Sequence, residues 1–98
     1  MGSEEKRASG FAWEDLVGQE VVVDTDSSYV FVGKLESVDA RFISLSTVDV
    51  HDMRDSHVTK EVYTLESLKY GIRHNRKLTH IRLERVICVS RLDDVVRY

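Results

Sequence analysis

Two clusters of side chains in this sequence have the composition for chemistry. Asp49, His51, Asp52, Asp55 and His57 crowd carboxylates and imidazoles into nine positions. If Asp49 and His51 sit on a strand they point to one side, where a carboxylate and imidazoles could hold a divalent metal or move protons. The spacing matches no high-specificity pattern such as His-Glu-x-x-His, and Asp, Ser and His are ordinary loop residues, so the segment is read as a solvated loop with no metal assigned. The second cluster is Arg73, His74, Asn75, Arg76 and Lys77, followed by His80, Arg82 and Arg85. Cationic side chains neutralise phosphates and release counterions, while Asn75 and His74 add hydrogen bonding or stacking to a splayed base. Arg73, His74, Asn75, Arg76, Lys77 and Arg82 are the expected contacts for RNA or another polyanion. Tyr63 and Tyr70 are available as stacking platforms. For Arg82 a second reading stands beside the first, in which it ties loops together through a carboxylate such as Asp39.

Charge distribution singles out the same stretch. Through residue 68 the chain has 14 acidic and 6 basic side chains, whereas residues 69–92 hold seven Lys and Arg against Glu84 alone, within a net charge of −3. Nothing else suggests catalysis. No serine or cysteine stands in a nucleophile context, and Gly10, Gly18, Gly33 and Gly71 build no phosphate-cradling loop. A non-enzymatic protein without cofactors is expected.

The elements that must position these residues read mainly as strands. Ninety-eight residues with 42% hydrophobic and 32% charged side chains suit one globular domain. Residues 1–10 are polar and aperiodic and are expected to be a flexible leader, leaving 11–98 as the domain. Phe11, Trp13, Leu16 and Val17 have near-helical spacing closed by Gly18, predicting a short leading helix. Gln19 to Thr25 and Tyr29 to Val38 flank the turn residues Asp26-Ser27-Ser28 as a hairpin, and Gly33 inside the second run marks a bulge or bend. Phe42 to Val50 reads as a third strand. Lys77 to Ser90 reads as two more that meet near Glu84-Arg85. Between the third and fourth strands, Val62, Leu65, Leu68 and Ile72 predict a helix whose apolar face packs on the sheet or on a neighbouring copy. Cys88, inside Val86-Ile87-Cys88-Val89, is expected to be a small buried hydrophobe. No apolar run approaches the ~18 residues of a membrane helix and the start is no signal peptide, so a cytoplasmic location without membrane contact is expected.

Two stretches resemble the paired motifs of the Sm and Sm-like family. Gly33-Lys34-Leu35-Glu36-Ser37-Val38-Asp39-Ala40-Arg41-Phe42 is similar to the first, and Ile81-Arg82-Leu83-Glu84-Arg85-Val86-Ile87-Cys88-Val89 to the second. Leu16-Val17-Gly18-Gln19-Glu20-Val21 resembles the entry into the family's first strand. The resemblance implies a five-stranded, Sm-like (SH3-type) barrel with a short N-terminal helix and, here, a helical insertion between strands three and four. It also implies self-association into a ring or dimer through strand edges, with single-stranded RNA as a partner. The chain departs from the pattern where an asparagine reads a base, which is Ile43 here, and where a glycine follows the motif arginine, which is Leu83. Phosphate attraction and stacking are therefore expected to outweigh base reading. The other function consistent with the sequence is a structural or protein-interaction module with no nucleic-acid role, its basic stretch paired with the acidic residues of 1–68.

Overall fold

In the computed structural model, residues 10–55 and 58–96 are described. The expected leader, Gly10 apart, and His57 lie outside them. The strands are β1 (Glu20–Thr25), β2 (Tyr29–Val38), β3 (Phe42–Asp52), β4 (Arg76–Arg82) and β5 (Val86–Arg91), with one α-helix, α1 (Lys60–Tyr70), between β3 and β4. The expected leading helix is a single 3-10 turn, Trp13–Leu16, whose Leu16 is buried. Gly18 follows at φ +88°, and from that left-handed conformation its N–H reaches the Leu35 carbonyl at 2.7 Å, joining the chain to β2.

All five strands belong to one antiparallel sheet in the order β4-β3-β2-β1-β5. The expected closure into a barrel is absent: β4 pairs with β3 and β5 with β1, but β4 and β5 do not pair with each other. The three-residue 3-10 turn Leu83–Arg85 explains this, because it redirects the chain and does not fold it back as a hairpin. The turn is held from both sides. Leu83 N–H donates to the Arg41 carbonyl at 2.8 Å, and Asp26 N–H donates to the Arg85 carbonyl at 3.0 Å.

A bulge in the middle of β3 sorts its side chains. Val32 pairs with Asp49 and Lys34 with Ser46, so Gly33 stands opposite two residues, Thr47 and Val48. Thr47 takes the extra position in a left-handed conformation, φ 49°. Inserting one residue reverses the alternation of everything beyond it. Ile43, Leu45, Val48 and, partly buried, Val50 thus share one face, in a core with Leu16, Val21, Val23, Leu35 and Ile81. Val22, Val30 and Val32 lie on the other, packed with Tyr63 of α1 and Leu92 of the C-terminal 3-10 turn. A sheet with two apolar faces needs two covers, and α1 is the second.

Thr59 caps α1, its Oγ1 accepting from Val62 N–H at 3.2 Å. Gly71 at φ +90° ends the helix with an N–H bond to the Ser67 carbonyl. The helix does not present the expected face. Tyr63 and Ser67 are its buried residues, whereas Val62 is 43% exposed. Leu68 and Ile72 do pack on the second core, in part. Rotation toward Tyr63 follows from a polar anchor that apolar periodicity does not record, since the Tyr63 hydroxyl donates to Asp49 Oδ2 at 2.6 Å.

A Cβ added at Gly33 would lie 3.0 Å from the Ser46 carbonyl oxygen and 3.2 Å from Val48 Cα, both backbone atoms that cannot swing away. Gly33→Ala is therefore expected to lower stability by about 1–3 kcal/mol. Thr47→Gly, which suits the left-handed conformation, is expected to leave the urea midpoint unchanged or higher.

Candidate functional site

The expected polyanion contacts are all exposed, but they form no single patch. Arg73, His74 and Asn75 lead into β4, Arg76 and Lys77 begin it, and Arg82 ends it. Arg82 lies six residue steps along β4 from Arg76, roughly 20 Å at ~3.3 Å per residue. Asn75 is committed to the fold: its N–H donates to the Val48 carbonyl, its Oδ1 accepts from Val50 N–H at 3.0 Å, and its Nδ2 donates to Asp49 Oδ1 and the Val50 carbonyl, each at 3.1 Å. Arg76 Nη1 donates to the Asn75 carbonyl at 3.1 Å. Arg73, His74 and Lys77 remain the outward-facing members of this end.

At the other end of β4, Arg82 meets two residues that sequence reasoning did not place in a site. Arg41 and Phe42, with Ala40, Arg82 and Glu84, line an open pocket of about 340 Å³. Asp39 organises the turn that carries Ala40, Arg41 and Phe42. The Asp39 carboxylate accepts from the Arg41 and Phe42 N–H groups at 2.7 and 2.8 Å, and Asp39 N–H donates to the Phe42 carbonyl. Those two backbone bonds are the main reason its carboxyl titrates below the usual carboxylate range. The motif aspartate thus shapes the β2–β3 turn while Arg82 bonds to Glu84 at 3.3 Å, an exposed pair that holds it only weakly. Phe42 keeps 37% of its surface exposed at the pocket. Ile43, at the family's asparagine position, is fully buried in the core.

The acidic segment divides by the same parity rule. Asp49 bonds Tyr63 from α1 and Asn75 before β4, joining three segments on one carboxylate. His51, two residues on, stacks against Tyr63 with ring centroids 4.4 Å apart. Asp52 instead accepts from Arg54 through Nη2 at 2.8 Å and Nε at 3.1 Å, and these bonds hold its carboxyl far below the ordinary range. Among the described residues no three His, Cys, Asp or Glu side chains come together as a metal site.

Cys88 is exposed, contrary to expectation. Cys88 lies on β5, the edge strand, in register with Asp24, and that margin leaves the thiol uncovered. Its Sγ donates to Asp24 Oδ2 at 3.3 Å, and local desolvation and then this carboxylate push its pKa up. A thiol that keeps its proton is a poor nucleophile.

No protein-family model matches the chain, and no curated protein matches it in sequence. Among the described residues no helix is long and apolar enough to cross a membrane.

Burial, then the bond to Asp49, raises the Tyr63 phenol far above its ordinary value of 10.0. The neutral phenol therefore stabilises the fold in full below pH 10, and this contribution is lost as the pH rises beyond it. Tyr63→Phe is expected to be less stable than the native chain at pH 7 and to lose less stability between pH 9 and about 11, measured by urea unfolding at each pH.

Proposed function

We propose that this chain is a non-enzymatic, Sm-like module that assembles head to tail through its two free sheet edges and binds single-stranded RNA or a similar polyanion on the assembled surface. One observation carries the reading: β4 and β5 are opposite margins of the same open sheet, each paired on one side only. Unpaired N–H and C=O groups along a strand are a template for another strand. Leu78 on β4 and Ile87 on β5 add apolar surface at those margins, 54% and 68% exposed. An interface that joins different edges of identical copies is heterologous and closes into a ring when its rotation divides a full turn. The strand order and the three-residue connector between β4 and β5 suit an open, Sm-like five-stranded sheet whose two edges are left for neighbours to fill.

The pocket of Arg41, Phe42 and Arg82 supports the RNA clause. Two guanidinium groups beside a partly exposed aromatic ring suit a phosphate and a stacked base. With Ile43 in the core, no asparagine is available there to read a base edge, so sequence preference is expected to be slight. The ion pairs Arg82–Glu84 and Arg85–Asp26 favour the second reading, a protein-interaction module in which local carboxylates already neutralise the cations.

Light scattering at tens of micromolar is expected to give a discrete oligomer, reduced to monomer by Leu78→Glu or Ile87→Glu; a monomeric native chain overturns the assembly. Labelled oligouridine and oligoadenine are expected to bind at low salt, more weakly in Arg41→Ala and Arg82→Ala and steeply less as salt rises. Failure of both to bind below about 100 micromolar, the weak end of non-specific affinity, leaves the protein-interaction reading.

A further inference from the structure

Between α1 and the outer face of β3 lies a cavity of about 540 Å³, the size of a small-ligand site. Asp49, His51 and Tyr63 line it together with Glu66, Tyr70 and Arg73. His51 Nε2 is buried there without a hydrogen-bond partner. Buried polar atoms almost always have one, so an orphan within a cavity-lining residue marks the place where a small turn of the ring would give a bound molecule a hydrogen-bond partner. Tyr70 has the opposite property. The residue is 73% exposed, with Lys69 Nζ 5.7 Å from its ring centroid. The exposed Arg73 carries a guanidinium with no hydrogen bond or ion pair to any described residue.

We propose that this cavity binds one nucleotide, its base between Tyr70 and His51 and its phosphate on Arg73. Two of the groups such a ligand meets, His51 Nε2 and the Arg73 guanidinium, lack a partner within the described residues, and Tyr70 offers an exposed ring. An aromatic face accepts any base by stacking. Imidazole Nε2 donates or accepts according to its tautomer, so it can meet either kind of atom on a base edge, and the Glu66 carboxylate accepts from an amino group. A guanidinium takes two phosphate oxygens at once. The site lies at the opposite end of β4 from the Arg41 and Phe42 pocket, and it does not depend on assembly or on RNA binding there. A free mononucleotide and a splayed base of a strand have the same chemistry, and the two sources are separable.

The test is calorimetric titration of the native chain with each of the four nucleoside 5′-monophosphates, with ribose 5-phosphate and with short oligonucleotides. At least one monophosphate, or an oligonucleotide if the source is a strand, is expected to bind with Kd below about 1 mM, while ribose 5-phosphate binds more weakly. Arg73→Ala removes an exposed side chain. His51→Phe keeps the ring on Tyr63 but deletes Nε2. Each is expected to weaken binding by about tenfold or more, the usual worth of a hydrogen bond to a charged or buried group, with unchanged melting. In an Arg41→Ala background, which disables the RNA pocket, Arg73→Ala is expected to weaken monophosphate binding to the same degree, which separates this site from that pocket. The proposal is overturned if neither monophosphates nor oligonucleotides bind, if ribose 5-phosphate binds equally well, or if Arg73→Ala binds like the native chain.

Discussion

A single extra residue in β3 decides which side chains can meet. Without the bulge at Thr47, strict alternation would carry Asp49 and His51 onto the face of Ile43 and Leu45, two polar groups in a dry core, and would turn Val48 and Val50 outward. The local cost is a threonine held in the left-handed region, about 1–2 kcal/mol. Gly33 accommodates the close approach on the facing strand. Everything on the helical side follows from that inversion: the carboxylate that receives Tyr63 and Asn75, the ring that stacks on Tyr63, and the cavity left beside them.

The strands were legible because their signals are local. Tyr29 to Val38 begins and ends where the turn residues say it should, and Gly33 marks an irregularity as its missing side chain suggests. Less legible was anything set by two distant segments. The periodicity of Val62, Leu65, Leu68 and Ile72 located a helix, but its orientation depends on a phenol meeting a carboxylate 14 positions earlier. Thr47 gives no sign of its conformation, because threonine is an ordinary strand residue. Closure failed as an expectation for a related reason. Whether the last strand meets its neighbour depends on the angle of a three-residue turn, which is held by backbone bonds to two other turns and by the Arg85–Asp26 ion pair, contacts between segments far apart in the sequence. Cys88 was misplaced because an apolar run reads as buried, although this one borders a sheet margin.

Site residues were legible in kind and not in grouping. The basic stretch after residue 69 is exposed, yet β4 is long enough to divide it, and each end acquires partners from elsewhere. Arg82 gains Arg41 and Phe42 through the turn that Asp39 organises, whereas Arg73 gains an aromatic and acidic wall from α1. Part of the acidic half is spent in the same way, Asp26 on Arg85 and Asp24 on Lys60. The lopsided charge pattern of the chain is therefore partly annulled by folding, and what survives is set by geometry.

The Asp49 anchor also has a kinetic side. It closes a loop of 26 positions to Asn75, and α1 inside that loop is fastened to the sheet by Tyr63, by the partly exposed Lys60–Asp24 pair and by a small apolar cluster. Strand pairing in β1, β2 and β3 does not pass through any of these. The helix is thus a separable cooperative unit that can detach while the sheet stays folded, and its amides should exchange with solvent through partial opening well before the strand amides do. The cavity exists only while that unit is docked, so whatever occupies it must also slow the rate at which the helix breathes.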